Sequence, residues 1–280
     1  MADTLRLTIL GCGSSPGTPR ITGDWGACDP NNPRNRRTRA AAMVERISDA
    51  GTTRVVIDTG PDFRSQMLGA GVRHIDGVVY THPHADHIHG IDDLRGYVLE
   101  RGSLVDIWAD DFTLERLKQG FGYCIETPLG SSYPPIVRPN LIRHEQPFTV
   151  EGEGGPLTFL PLPQIHGDIV SLGFRIGPIA YCSDVSDFPD STAALMGGLE
   201  LLVVDALQHK PHVSHLSLSE ALQWIDRLQP SRAVLTHMHV PLDYDAVMAE
   251  TPAHVEPAYD GMAIEISIVS DALAQVPRAR

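Results

Sequence analysis

The chain has 280 residues, of which 42% are hydrophobic, and a formal net charge of −13 at pH 7. This length lies near the upper limit for one hydrophobic core, so we expect a single domain over residues 1–280. No apolar run is long enough to span a bilayer, so no membrane partner is expected. The acidic charge disfavours long nucleic acid as a partner, because such ligands normally require a basic surface.

The N-terminal segment and the cysteines predict a cytoplasmic location. Residues 1–4 lead directly into an apolar strand, without the basic and long apolar segments of a signal peptide. The four cysteines are widely spaced and include no Cys-x-x-Cys pair, which is typical of free thiols in a reducing cytosol.

The first part of the chain contains predicted strands and short helices. A strand at residues 5–10 leads into a turn rich in glycine and proline. Strands at residues 40–47 and 53–57 form a predicted hairpin, because the residues between them favour a turn. The next predicted elements are helix 63–68, strand 76–80, strand 104–108 and helix 113–119.

Residues 120–148 contain five prolines and show little periodicity. We expect an irregular insert at this position, as a functional loop or a flexible arm.

The later part of the chain alternates strands with helices. Ser217 and Glu220 form a predicted capping signal for a helix that ends at Leu228. Early hairpins followed by this alternation predict a mixed α/β or α+β layered fold. The strands are expected at residues 157–160, 171–176, 179–182, 201–205 and 233–236.

The segment from Thr81 to His87 carries the strongest functional signal. His82, His84, Asp86 and His87 place three imidazoles and one carboxylate within six residues. A borderline metal ion such as zinc prefers nitrogen and oxygen donors of this kind. Because four such donors are costly to order and protonate together, the segment predicts a metal site.

The pattern His-x-His-x-Asp-His resembles the signature of the metallo-β-lactamase superfamily. The resemblance implies an αββα sandwich, an α+β fold with two mixed β-sheets flanked by helices. It also implies two divalent metal ions, for which zinc and manganese are suitable and iron is a third option. The implied ligands are His82, His84 and His166 for one ion and Asp86, His87 and His237 for the other, with Asp184 bridging both.

Each implied ligand outside the motif is weak evidence for a metal site when it is considered alone. His166, Asp184 and His237 follow predicted strands or lie on nearby loops, in the order of the superfamily's later ligands. His239 competes with His237, which the resemblance favours because it directly follows Leu-Thr. Asp58 matches a family aspartate beneath the metal loop, where it would orient a ligand.

Two histidines, His212 and His215, precede the predicted helix 220–228. A metal-bound hydroxide can attack phosphorus without a protein base, but an alkoxide leaving group needs a proton, which histidine can supply. In the phosphodiesterase branch of the superfamily a histidine before such a helix has this role. His215 fits the role better than His212, and we count His215 and the ligand Asp86 as the catalytic residues.

Within the superfamily, the chain resembles the PhnP-like cyclic phosphodiesterases over nearly its whole length. The matching parts are residues 11–15, 57–64, 81–87, 90–95, 181–185 and 235–237, together with His215. The resemblance implies hydrolysis of a small cyclic or nucleotide phosphodiester. Some relatives carry a cysteine zinc cluster after the first strand, where this chain has only Cys28, so we expect no structural zinc.

Two other activities remain open. A ribonuclease Z-like enzyme that processes transfer RNA would share the motif, although the acidic charge and the lack of a basic arm count against it. A thioesterase or lactonase could use the same scaffold and metals. A homodimer is also left open.

Four arginines, at positions 34, 36, 37 and 39, form the main basic cluster. The cluster could contact a phosphate ligand or could be a solvated loop. We expect Arg36, Arg37 or Arg39 to contact a substrate phosphate, because guanidinium groups match phosphate oxygens.

Overall fold

The first strand, β1 (Asp3–Gly11), buries Leu5, Leu7 and Ile9 completely and leaves alternate side chains partly exposed. This period of two places one face of the strand against a core. In the computed structural model, which describes residues 3–144 and 146–268, β1 lies one strand from the edge of a seven-stranded sheet.

Within the described residues, this first sheet has the strand order β14-β1-β2-β3-β4-β5-β6. Neighbouring strands are antiparallel from β14 to β3 and parallel from β3 to β6. Its other strands are β2 (Ala41–Ser48), β3 (Gly51–Ile57), β4 (Gly77–Val79), β5 (Val105–Ala109), β6 (Val137–Leu141) and β14 (Ala263–Ile268).

The second sheet has the strand order β13-β12-β11-β10-β9-β8-β7. Its neighbours are parallel from β13 to β10 and antiparallel from β10 to β7. The strands are β7 (Phe148–Val150), β8 (Leu157–His166), β9 (Ile169–Ile176), β10 (Ile179–Cys182), β11 (Leu201–Asp205), β12 (Arg232–Thr236) and β13 (Val255–Pro257).

Helices flank the two mixed sheets, and the predicted αββα sandwich is confirmed. The capping signal is also confirmed, because the Ser217 side chain accepts from the backbone N–H of Glu220 and the Glu220 side chain bonds back to Ser217. The helices are α1 (Phe63–Gly69), α2 (Ala85–Ile88), α3 (Arg95–Arg101), α4 (Asp111–Ile125), α5 (Asp190–Ala194), α6 (Leu218–Leu228) and α7 (Tyr244–Glu250), with short 3-10 turns at Pro33–Asn35 and Ile91–Leu94.

Two hydrophobic clusters hold the layers together. The larger cluster lies between the sheets and joins residues such as Leu7 of β1 to Phe174 of β9 and Val203 of β11. The smaller cluster joins Val56 of the first sheet to Phe63 of α1 and other helix residues. The fold therefore buries both faces of the first sheet, as expected of a layered α+β architecture.

The prediction of an irregular insert at residues 120–148 is wrong for a large part of that segment. Helix α4 continues to Ile125, and β6 (Val137–Leu141) lies inside the segment. Pro139 weakened the strand signal, but among the described residues β6 pairs only with β5 and is an edge strand, where a missing N–H is tolerated. Residues 126–136 carry no helix or strand.

The sheet topology brings functional side chains to one edge. The strands β3, β4, β10, β11 and β12 each end at or just before one of the predicted site residues or Asp205. Parallel strands present their carboxyl ends at the same edge, where ligands of α/β folds usually bind. Among the described residues, the helices are too short or too polar to cross a membrane.

Candidate metal centre

The predicted motif lies on a turn between β4 and α2. The strand ends at Val79, and the short helix α2 (Ala85–Ile88) carries Asp86 and His87. The loop after β3 packs directly beneath this helix, because a Cβ atom at Gly60 would overlap the carbonyl oxygen of Asp86. Close packing of the two segments therefore fixes the position of the motif.

A first group of donors contains His82, His84 and His166. Nδ1 of His84 lies 2.9 Å from Nε2 of His82 and 3.2 Å from Nε2 of His166. Three imidazole nitrogens therefore converge on one point, as the resemblance implied for one metal site.

A second group contains Asp86, His87, Asp184 and His237, with one donor atom from each lying within 4.8 Å of the others. The two oxygens of Asp184 approach different histidines, with Oδ2 3.2 Å from Nε2 of His87 and Oδ1 3.2 Å from Nε2 of His237. Oδ1 of Asp184 is also 3.9 Å from Nε2 of His82 in the first group. Asp184 therefore lies between the two groups.

Asp58 supports both groups from below. Its Oδ2 lies 2.7 Å from Nδ1 of His87 and accepts a 2.7 Å hydrogen bond from the Thr81 hydroxyl. The Thr81 oxygen in turn lies 3.0 Å from Nδ1 of His82. Each ring can therefore carry its proton on Nδ1 and direct the lone pair of Nε2 into the centre.

Burial favours the neutral form of His82 and His166, and partial burial acts in the same direction on the more exposed His84. It lowers the pKa of His82 well below its ordinary value, lowers the pKa of His84, and lowers the pKa of His166 to about 4. Nδ1 of His166 lies 2.6 Å from the carbonyl oxygen of Ser214, to which it donates its proton. Neutral imidazole is the form that binds a metal ion.

The second group has the opposite charge state. Burial would lower the pKa of His237, but nearby carboxylates, led by Asp184, raise it to about 9. The pKa of His87 is likewise raised against burial by Asp184, Asp86 and Asp58. Burial would raise the pKa of Asp184, but His237 and His87 hold it well below the usual range. In the metal-free protein, the protons on His87 and His237 thus supply the positive charge that a bound cation would otherwise supply.

Buried atoms without a hydrogen-bonding partner indicate that the donor set fits metal ions. Nε2 of His87, Oδ2 of Asp184 and Nε2 of His237 are buried and have no partner with hydrogen-bonding geometry among the described residues. Leaving such atoms unsatisfied is costly, whereas a coordinated cation would satisfy all three. Nitrogen and carboxylate donors of this kind suit zinc and other divalent ions.

The backbone is strained at three of these positions. Asp58, Asp184 and His237 have φ angles of 68°, 54° and 57°. The left-handed region is sparsely populated by residues other than glycine, and such strain is concentrated at functional sites. The sharp turns that follow the strands hold these three side chains at the sheet edge.

His215 lies against both groups, where the sequence predicted the general acid. Its Nδ1 is 2.6 Å from Oδ2 of Asp205, a fully buried residue at the end of β11. Its ring stacks on His237 at a centroid distance of 4.6 Å and meets His166 edge-on at 4.7 Å. Asp205 accepts a hydrogen bond from the Nδ1–H of His215, so Nε2 is the nitrogen free to exchange a proton with a ligand.

Three other histidines lie outside the donor groups. Nδ1 of His239 is 2.8 Å from the Ser14 hydroxyl, and its Nε2 is 2.6 Å from a guanidinium nitrogen of Arg20. His212 is exposed and lies next to His215, with 5.3 Å between the ring centroids. His89 is exposed and packs on Phe121. None of these three belongs to a group of candidate ligands among the described residues.

The arginine cluster does not act as one surface. The prediction that Arg37 contacts substrate is wrong, because its side chain is 2% exposed and its Nη2 donates to the carbonyl of Leu242 at 2.7 Å. Arg36 is exposed and stacks over Trp25. Arg39 pairs with Asp62 at 3.1 Å and keeps a half-buried side chain. Arg36 and Arg39 therefore remain candidates for contacts with substrate.

Two functional residues were missed by the sequence analysis. Asp205 ended an apolar strand and gave no sign of its contact with His215. Ser15 lies in the turn after β1, and its hydroxyl donates to Oδ2 of Asp86 at 2.7 Å. The sequence did contain a signal for Asp205. It is a carboxylate at the end of a buried strand, and other strands also end near candidate donors.

Comparison with known proteins agrees with this geometry. Residues 53–238 match the model of the beta-lactamase superfamily domain, and the chain therefore belongs to the metallo-β-lactamase superfamily. More narrowly, it is PhnP-like, because it is 34% identical to a diphosphatase from the PhnP family of known crystal structure. That similarity covers 96% of this chain and 100% of the other, with a TM-score of 0.85.

Two further similarities are less direct. The chain is 31% identical, over 92% of its length, to an octanoyltransferase of Porphyromonas gingivalis (strain ATCC BAA-308 / W83), but it spans only 51% of that protein. The short form of human tRNase Z shares the fold at 18% identity and a TM-score of 0.62, over 94% of this chain and 100% of that one. The family and the donor groups together indicate a metal-binding hydrolase of the metallo-β-lactamase type.

Proposed function

We propose that the protein is a dinuclear metal-dependent phosphodiesterase that acts on small cyclic or nucleotide phosphodiesters. The observation that carries the proposal is the position of His215, which touches both donor groups through its ring and is braced by buried Asp205. A thioester, whose thiolate leaves as a stable anion, needs no such acid, whereas a phosphodiester with an alkoxide leaving group does.

His82, His84 and His166 would hold the first ion, Asp86, His87 and His237 would hold the second, and Asp184 would be shared between them. When bound, zinc, manganese or iron ions would lower the pKa of a water molecule and neutralise charge on the phosphate. Asp58 orients His87 through a 2.7 Å contact, and Ser15 orients Asp86 through a 2.7 Å hydrogen bond.

His215 would deliver the proton that the leaving oxygen needs. Asp205 accepts a hydrogen bond from Nδ1 of His215, which fixes the orientation of the ring and leaves Nε2 as the nitrogen for proton transfer. After transfer, the neutral ring keeps its hydrogen bond to Asp205 and can regain a proton from solvent. Asp205 is thus a positioning residue, and His215 is the general acid.

The substrate is proposed to be small. The net charge of −13 opposes the binding of long RNA, so the ribonuclease Z-like alternative is not preferred. The diphosphatase activity named for the PhnP-family relative extends the proposal to substrates in which two phosphates are joined. The name octanoyltransferase belongs to a protein of which this chain spans about half, and it is not transferred here. A cytoplasmic location remains a prediction.

A panel of substrates tests the proposal. Metal-free protein would be loaded with zinc, manganese or iron and assayed on cyclic nucleotides, bis(p-nitrophenyl) phosphate, a thioester and a lactone. We expect hydrolysis of the phosphodiesters and only background rates on the thioester and the lactone. Hydrolysis of the thioester or lactone alone would replace the proposal with the alternative acyl chemistry.

A further inference from the structure

Arg20 lies on the loop that follows β1, outside both groups of candidate ligands. Its Nη2 is 2.6 Å from Nε2 of His239, and its Nη1 donates to Oδ2 of Asp24 at 2.8 Å. Arginine can only donate hydrogen bonds, so Nε2 of His239 is the acceptor. Contacts on two sides therefore hold the guanidinium in one orientation.

The same loop connects Arg20 to the metal centre. Nδ1 of His239 donates in turn to the Ser14 hydroxyl, at 2.8 Å, and Ser14 is 2% exposed. The next residue, Ser15, donates to the candidate ligand Asp86 at 2.7 Å. The backbone N–H of Ser14 also bonds to the carbonyl of Met238, beside the candidate ligand His237. Adjacent residues of one loop thus contact a candidate ligand, Asp86, and the histidine that holds Arg20, His239.

The guanidinium of Arg20 remains available to a ligand. Its five N–H donors give one hydrogen bond to His239 and one to Asp24, and the side chain is still 41% exposed. A fork-shaped cation that is held by a partly buried histidine and an exposed carboxylate, and is open on one side, is suited to phosphate oxygens. Fixing the side chain in advance reduces the ordering cost of binding.

We propose that Arg20 binds the second phosphate of a substrate whose two phosphates share a bridging oxygen, that is, a diester of diphosphate. This inference rests on the proposed function, in which the metal centre takes the first phosphate. It identifies Arg20 as the residue that selects a diphosphate linkage over a simple phosphodiester.

The reaction places new charge where Arg20 can meet it. Water adds its oxygen to the first phosphorus, the bond from that phosphorus to the bridging oxygen breaks, and the bridging oxygen leaves on the second phosphate. The two protons of the water end on the two phosphate products, one on each, before they equilibrate with solvent. Negative charge grows on the leaving phosphate, and a guanidinium already in place stabilises it.

Substrate pairs separate this role from a purely structural one. The metal-loaded protein and its Arg20→Ala and Arg20→Lys variants would be assayed on bis(p-nitrophenyl) phosphate and on P1,P2-diadenosine diphosphate. For Arg20→Ala we expect kcat/KM on the diphosphate to fall about 10- to 100-fold, the scale of a charge-assisted hydrogen bond, with less than about a threefold change on the monophosphate diester. Arg20→Lys should recover part of the loss.

Arg227→Gln is the matched control. Arg227 pairs with Asp190 at 2.8 Å on an exposed surface, at the far end of α6 from His215. It should leave both rates unchanged. Metal content and the thermal midpoint of each variant report loss of structure. If Arg20→Ala unfolds, Asp24→Asn, which removes one brace, should still raise KM for the diphosphate alone.

The outcomes distinguish the inference from the function on which it rests. Equal losses on both substrates, or no loss on either, would overturn the role of Arg20. Wild-type protein that cleaves the monophosphate diester but not the diphosphate would also overturn it, while leaving the phosphodiesterase proposal intact. Wild-type protein that cleaves neither would instead remove the proposed function itself.

Discussion

The carboxylate of Asp205 lies 2.6 Å from Nδ1 of His215, and its second oxygen lies 3.9 Å from Nδ1 of His237. A single buried carboxylate therefore orients the proposed acid and lies beside a candidate metal ligand without a hydrogen bond to it. Burial raises the pKa of Asp205, although its contact with His215 acts in the opposite direction. The acid and the metal centre are thus linked through one side chain.

His215→Ala should slow hydrolysis by a factor that depends on how much the leaving group needs a proton. We expect a loss of about two to four orders of magnitude for a substrate with an alkoxide leaving group, and a much smaller loss for p-nitrophenolate, which leaves as a stable anion. His212→Ala, which removes an exposed histidine next to it, is the control and should keep the wild-type rate. Equal losses for both leaving groups would contradict the role of acid.

Metal analysis of His215→Ala is needed alongside the rates. His215 also lies within 4.8 Å of donor atoms of His166 and Asp184. We expect the variant to keep its full metal content. A loss of metal would make His215 a ligand.

Asp205→Asn should act through His215. The amide would favour the wrong tautomer of the ring, so we expect a slower reaction with poor leaving groups and an unchanged KM. The double variant Asp205→Asn/His215→Ala should be about as slow as His215→Ala alone, because residues that act as a unit are not additive. If the rate losses of the two single variants multiply in the double variant, Asp205 and His215 act independently, which would contradict this prediction.

Arg37→Ala should destabilise the fold. The variant loses buried hydrogen bonds to Leu242 and Asn35, for which we expect about 2–4 kcal/mol from the free energy of unfolding. Arg36→Ala removes only an exposed contact with Trp25 and should cost about 1 kcal/mol or less. Denaturant unfolding of the metal-free proteins measures both. A stable Arg37→Ala protein with a raised KM would restore its predicted contact with substrate.

Metal binding should release protons. His237, with a pKa raised to about 9, and His87, with a raised pKa, both hold protons at pH 7 in the metal-free protein. A metal ion must displace these protons, so affinity should fall as the pH falls from about 9. Calorimetry at pH 7 in two buffers of different ionisation enthalpy counts the protons. A buffer-independent heat would contradict this charge state.

The contiguous motif made the metal region predictable, because His82, His84, Asp86 and His87 fall within six residues and one turn. Asp184 and His237 could be placed only through the resemblance and their positions after strands. Asp205 was not predicted, since its contact with His215 depends on how two segments pack. The direction in which a loop side chain points is equally hard to read from the sequence. The inward orientation of Arg37 was therefore not predicted.

The fold was likewise predictable where the signal was local, and not where it depended on pairing between distant segments. The apolar run at residues 5–10 predicted β1, and a capping signal predicted α6. The pairing of β6 with β5 was not visible, because Pro139 is acceptable only when the strand lies at an edge. β14 (Ala263–Ile268), which pairs with β1, also went unpredicted.

The most direct test of the dinuclear centre is a metal titration of the metal-free protein, followed by hydrolysis of bis(p-nitrophenyl) phosphate. Activity should rise until two equivalents of zinc or manganese are bound per chain and then stay constant. Asp184→Ala should lose tight binding and activity, whereas Asp187→Ala, at an exposed position nearby, should behave as wild type. Saturation at one equivalent, or full activity in Asp184→Ala, would contradict the bridged centre.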